Sequence, residues 1–152
     1  MIDKNEVIAV LLGGLSHEAE ISRRTGAAVT EALCSLGYKA IPVEYKPDSV
    51  LEQLQAINAK MVFIALHGKY GEDGTIQSIL ELAGIPYTGS GVSSSAITMD
   101  KILSSRIFKQ AGINMAFSMP YYLSDGLDKV EDSIKKHFKF PVVLKPACEG
   151  ST

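Results

Sequence analysis

The stretch Ala65-Leu66-His67-Gly68-Lys69-Tyr70-Gly71-Glu72-Asp73-Gly74-Thr75-Ile76-Gln77 gathers most of the groups that can do chemistry close together. A histidine, a lysine and two adjacent carboxylates share one loop with three glycines. Glycine lets backbone approach a ligand closely or take positive φ. Loops of this kind, at the carboxyl end of an apolar run, are where α/β chains form pockets. The plainer reading is a glycine-bearing strand–helix turn with Asp73 as helix cap.

A second polar block, Gly13-Gly14-Leu15-Ser16-His17-Glu18-Ala19-Glu20, follows another apolar run. It lacks Gly-x-Gly-x-x-Gly spacing, so a dinucleotide site is poorly supported. Two carboxylates there would repel a pyrophosphate but suit an ammonium group; equally, they would complement a helix dipole. His17-Glu18 is not the His-Glu-x-x-His pattern, and no metal site is assigned. No Gly-x-x-x-x-Gly-Lys-Ser/Thr occurs, which excludes a P-loop. Lys101 falls in the first turn of a helix, where the dipole disfavours a cation, and Lys145 ends a Val-Val-Leu run. An anion such as phosphate would suit both; a snorkelling or salt-bridged lysine is the alternative for each. Gly150-Ser151-Thr152 then offers N–H groups and hydroxyls of the kind that cap phosphates.

These groups need a scaffold, and the apolar pattern supplies one. Val7 to Leu12 reads as a strand buried on both faces, with Ser16 as cap of the helix that follows and Gly37 as its stop. Ala40–Val43 and Met61–Leu66 read as further strands, with helices over 50–57 and 76–83 between and after them, and Gly84–Gly89 as a short fourth extended segment. That alternation argues for a parallel sheet with right-handed crossovers. Gly89–Ser95 is a small-residue junction, with a domain boundary expected near residue 95. Beyond it come helices over 100–110 and 127–137, an extended stretch over 117–123, and a final strand, Pro141–Pro146. Fifty residues are too few to bury a core of their own, so the chain reads as the front part of a longer protein.

Composition bounds the function. At 152 residues, 46% hydrophobic and 21% charged, the chain is an ordinary globular one. A net charge of −2 gives no electrostatic case for nucleic acid or anionic membrane. No apolar stretch reaches the roughly 18 to 20 residues of a membrane span. Cys34 and Cys148 fit no metal or redox spacing and read as reduced thiols, which points to the cytoplasm.

Five blocks in order now carry a resemblance: Leu12-Gly13-Gly14-x-Ser16-x-Glu18-x-Glu20-x-Ser22, Leu66-His67-Gly68-x-x-Gly71-Glu72-Asp73-Gly74, Ile85-Pro86-Tyr87-Thr88-Gly89-Ser90-Gly91, Met99-Asp100-Lys101 and Lys145-Pro146-x-x-Glu149-Gly150-Ser151-Thr152. Together they closely resemble the D-alanine–D-alanine ligases of the ATP-grasp superfamily, over essentially the whole chain. The resemblance implies a Rossmann-like (pre-ATP-grasp) parallel sheet in a substrate-binding domain, residues 1–95. The first part of an ATP-grasp α+β domain, 96–152, would follow.

The implied reaction is ATP-dependent: one D-alanine carboxylate is phosphorylated, and the amine of a second D-alanine attacks the acyl phosphate. Carried over by position, Glu18 would bind the first ammonium and His67 would lie beside that substrate's carboxylate. Ser151 would join Glu18 in the catalytic set through a tyrosine from a later loop. Lys101 and Lys145 would contact ATP phosphates, and Gly150, Ser151 and Thr152 would begin the loop over them. Thr152 departs from the usual Gly-Ser-Ser but keeps a hydroxyl. The Mg2+ ligands, adenine pocket and oxyanion-stabilising arginine would lie beyond Thr152, so this chain alone is expected to be inert. The family also tends to dimerise through its amino-terminal region. Sister ligases taking D-lactate or D-serine, or a non-catalytic nucleotide- or amino-acid-binding module, remain as alternatives.

Overall fold

A computed structural model describes residues 3–150. Three parallel strands form the sheet, in the order β2–β1–β3: β1 Val7–Leu12, β2 Lys39–Glu44 and β3 Ala59–Ile64. Central β1 is buried at all six positions, as an unbroken Val-Ile-Ala-Val-Leu-Leu run requires when both faces are covered. It pairs with β2 from Val7↔Lys39 to Leu12↔Glu44, and with β3 from Ile8↔Met61 to Leu11↔Ile64. Tyr87 adds a single parallel bridge to Val62. The fourth extended segment is thus present only as that bridge.

Helix α1, Ala19–Ser35, packs on β1 and β2; α2, Val50–Ala56, packs on β3; α3, Thr75–Leu82, follows the loop after β3. The core joins Leu11, Val62 and Leu66 to Leu54 of α2 and Ile76 and Leu80 of α3. α1 comes close to the sheet at Gly26, where a Cβ would lie 2.5 Å from the Leu12 Cβ. Its end is built as expected: Gly37 takes φ +82, and the Gly37 and Tyr38 N–H groups donate to the Cys34 and Leu33 carbonyls.

Several expectations need correction. β3 lies two residues earlier than the apolar run suggested, so Ala65 and Leu66 belong to the loop, although both are buried. The small-residue junction passes into a helix, α4, Val92–Met99, where no helix was expected. Its hydroxyls return to backbone carbonyls: Thr98 Oγ1 donates to Ser94 and Ser95 Oγ to Ser90. α5, Lys101–Gln110, starts at Asp100, whose carboxylate accepts from Ile102 and Leu103 N–H at 2.9 and 3.0 Å. α6 spans Leu127–His137, with Lys135, Lys136 and His137 in its last turn, where the dipole favours cations.

Neither 117–123 nor Pro141–Pro146 forms a strand; the first ends in a single 3-10 turn, Leu123–Asp125. Strands need ladder partners, and among the described residues these runs find none. Val143 and Leu144 remain 78% and 72% exposed. No helix among the described residues is long and apolar enough to cross a membrane.

Candidate functional site

Two hydroxyls of the β1–α1 segment pin the loop that follows β3. Ser22, fully buried, donates to the Ala65 carbonyl at 2.8 Å, and Ser16 donates to the His67 carbonyl, also at 2.8 Å. Ser16 Oγ also accepts the Glu18 N–H at 3.2 Å. Ser16 is therefore not the helix cap expected of it: its hydroxyl holds the N–H of Glu18, which itself occupies the N-cap position without a side-chain cap, and α1 begins at Ala19. Glu20 lies in the first turn, 3.6 Å from Arg23, which forms a closer pair with Glu44 at 2.7 Å. Of the two carboxylates, Glu20 is thus a surface residue of the helix, and Glu18 faces the loop.

The pinning places Glu18 against Gly68. A Cβ on Gly68 would meet Glu18 Oε2 at 2.8 Å and displace that carboxylate, and the φ of +69 at Gly68 favours glycine outright. His67, half-buried, has its Nε2 3.4 Å from the Thr25 hydroxyl. The loop braces itself from within. Glu72 Oε2 accepts the Gly68 N–H at 2.7 Å, and Asp73 accepts the Tyr70 and Thr75 N–H groups at 2.9 and 3.0 Å. Burial works against the Asp73 carboxylate, but the hydrogen bonds from Tyr70 and Thr75 outweigh it and hold the group below the usual carboxylate range. Burial also pushes the nearby Tyr45 phenol up, and the Asp73 and Tyr70 charges add to the effect. Lys69 is engaged otherwise, over the Tyr70 ring at 5.1 Å.

The cations gather on the other side of the same corner. Lys101, Lys145, Glu72, Met99, Glu149 and Gly150 are among the residues lining a cavity of about 480 Å³. Both lysines also border a larger, more apolar hollow of about 1120 Å³, between α5, the 115–123 stretch and α6. The Lys101 N–H donates to the Ala147 carbonyl at 2.9 Å and its Nζ to the Glu149 carbonyl at 2.6 Å. Part of the counterbalance expected from an external anion is therefore supplied by the chain. Lys145 is exposed, not buried at the lip of a core strand, so no burial cost demands a partner there. Neither lysine has a carboxylate partner among the described residues.

Gly150 joins the halves. A methyl group on it would overlap the Glu18 carboxylate and lie 3.2 Å from Gly68 Cα. Glu18 thus packs on Gly68, the neighbour of His67 in the chain, and Lys101 and Lys145 line a cavity of their own, with Gly150 touching Glu18 and lining that cavity. Glu18 does not itself line the cavity of the lysines. Ser151 and Thr152 lie outside the described residues. Sequence reasoning assigned no role to Ser22, Thr25 or Glu72. Ser22 and Thr25 carry no signal beyond a hydroxyl on a helix, whereas Glu72 stood in the opening loop. No group of three or more His, Cys, Asp or Glu side chains that could hold a metal occurs among the described residues.

Known proteins of similar sequence and fold point one way. A family model described as the D-ala D-ala ligase N-terminus matches residues 44–90. A D-alanine–D-alanine ligase of Geobacter sulfurreducens is 46% identical over 149 residues, 98% of this chain and 46% of the relative. One of Moorella thermoacetica is 45% identical, over 95% of this chain and 48% of the relative. The chain spans about half the length of the curated relatives it matches. Among solved structures, a Bacillus anthracis D-alanine–D-alanine ligase superposes with a TM-score of 0.81 at 36% identity, over 97% of this chain and 47% of that one. The VanG D-Ala:D-Ser ligase of Enterococcus faecalis gives 0.72 at 28%, over 97% and 53%.

Proposed function

Over nearly its whole length the chain belongs to the amino-terminal portion of the D-alanine–D-alanine ligase family, and from that premise we propose that it supplies the first amino-acid subsite and part of the phosphate subsite of an ATP-dependent carboxylate–amine ligase. The product would be D-alanyl-D-alanine for peptidoglycan. The observation that carries this reading is Gly150, packed on Glu18 and Gly68 while lining the cavity of Lys101 and Lys145. In this reading Gly150 stands between an amine-binding carboxylate on one side and phosphate-binding lysines on the other.

In this reading Glu18 receives the ammonium of the first D-alanine, and His67 stands beside its carboxylate. That carboxylate then points toward the lysines, where ATP supplies the phosphoryl group that activates it. Lys101 and Lys145 offset the phosphate charge, and the Gly150-Ser151-Thr152 segment begins the cover over it. Mg2+ would accompany the ATP in this reading, held by residues other than the described ones. Residues 1–95 would form the substrate domain and 96–152 the start of the ATP-grasp domain. A cytoplasmic location accords with ATP use and with two free, exposed cysteines, and pairing of two copies through the amino-terminal region belongs to the same reading.

A second reading, a sister ligase with D-serine as second substrate, draws on the similarity to the VanG structure. In a ligase carrying this chain as its amino-terminal half, Glu18→Gln is expected to raise KM for the first D-alanine far more than KM for ATP. Lys145→Ala is expected to do the reverse. A first-site KM near wild type in Glu18→Gln refutes the assignment, and product analysis with D-alanine, D-serine and D-lactate in competition separates the two readings.

A further inference from the structure

Glu72 is bonded twice to a single residue: its N–H donates to the Gly68 carbonyl at 2.9 Å and its Oε2 accepts the Gly68 N–H at 2.7 Å. Gly68 in turn lies against the Glu18 carboxylate and against Gly150. The same Glu72 side chain lines the cavity that Lys101 and Lys145 share. A carboxylate in that position does two separable things. It fixes, by a hydrogen bond, the backbone on which Glu18 rests. It also brings a negative charge to the lining of the cavity that the two lysines share, and so weakens their hold on a phosphate there.

We infer that Glu72 is a positioning residue serving both subsites: its hydrogen bond to Gly68 sets the Glu18 carboxylate for an amino acid's ammonium, and its charge moderates phosphate affinity at Lys101 and Lys145. The inference rests on the proposed ligase reading. Its chemical sense is turnover: a phosphate product held by two lysines without a nearby negative charge leaves slowly.

The two functions divide between two substitutions. Glu72→Gln keeps a carbonyl oxygen for Gly68 but removes the charge; Glu72→Ala removes both. The 152-residue chain and both variants are titrated separately with D-alanine and with inorganic pyrophosphate, followed by nuclear magnetic resonance. Glu72→Gln is expected to bind pyrophosphate about three-fold more tightly while D-alanine affinity stays at the wild-type value. Glu72→Ala is expected to show the same gain for pyrophosphate and about five-fold weaker D-alanine binding, the cost of an unpaired N–H.

Wild-type D-alanine affinity in Glu72→Ala, or an equal loss in Glu72→Gln, overturns the positioning role. Unchanged pyrophosphate affinity in both variants overturns the electrostatic one. A purely structural role would leave pyrophosphate binding no tighter in either. Should Glu72→Ala not fold, Glu72→Gln alone decides, since unaltered pyrophosphate affinity refutes the inference. Wild-type chain that binds neither ligand brings down the subsite reading itself, and the inference with it. Binding of both ligands by all three proteins with equal affinity brings down the inference alone.

Discussion

Two apolar runs of similar composition meet opposite fates in this molecule. Val7-Ile8-Ala9-Val10-Leu11-Leu12 is the buried centre of a sheet, flanked by β2 and β3 and covered by helices. Pro141-Val142-Val143-Leu144 forms no strand and lies largely open to solvent. Phe117, Leu123, Leu127 and Phe140, in the same half of the chain, are also exposed, at 64%, 93%, 77% and 67%. Beyond Ser104 no described residue is fully buried. The difference shows that hydrophobicity proposes a strand but partners make one: backbone groups need a ladder and apolar faces need cover. The contrast also bears on the site, because Glu18 and His67 stand on the packed region while Lys145 follows the uncovered run.

The sharpest way to break this contrast is to cut into the packed region. Leu11→Ala is expected to cost about 3 kcal/mol, through lost burial and the cavity left behind, read as a fall in the thermal midpoint. A loss under about 0.5 kcal/mol, the range of surface changes, would place Leu11 outside a real core. A smaller effect tests the pin between regions of the sheet. Ser22→Ala leaves the Ala65 carbonyl unpaired in a buried setting and is expected to cost about 1.5 kcal/mol. Denaturant unfolding measures it, and Ser22→Thr should recover part of the loss if the hydroxyl is what matters.

Asp73 gives a finer, pH-dependent test. Its carboxyl is held below the usual range in the folded state, so it stabilises above the unfolded-state value and loses that contribution as pH falls through the folded-state value. The midpoint difference between wild type and Asp73→Asn is therefore expected to be largest near neutral pH and to shrink on acidification below about pH 4. A difference that is constant with pH would mean the hydrogen bonds from Tyr70 and Thr75 do not favour the charged form. The smallest effect is expected in the open region. Leu144→Ser should shift the midpoint by less than about 0.5 kcal/mol, and a large loss there would erase the distinction between the two runs.

Much of the local structure was legible in advance because its causes are neighbours in sequence. Asp100 announced α5 by the cap it makes, α6 runs over the very residues its apolar spacing marked, and β1 matches its apolar run. The junction at 89–95 was less legible, because serine and threonine side chains favour turns unless their hydroxyls find carbonyls within the helix, as Thr98 does. Of the candidate site, Glu18, His67, Lys101, Lys145 and Gly150 could be named from charge and position at the ends of apolar runs. Ser22 and Glu72 stand in the motif blocks but received no role, since nothing local distinguishes a serine that will meet the Ala65 carbonyl or a glutamate that will fold back on Gly68.

The sequence by itself determined where chain direction changes, which segments other than α4 are helical and which groups carry charge, because caps, glycines and apolar spacing act over a few residues. Only the tertiary structure decided that Gly150 packs on Glu18, that Lys101 grips the Glu149 carbonyl, and that 141–146 stays unpaired. Those outcomes depend on which surfaces meet across the fold, and contact between distant segments is set by packing and hydrogen-bond supply that no short window of residues contains.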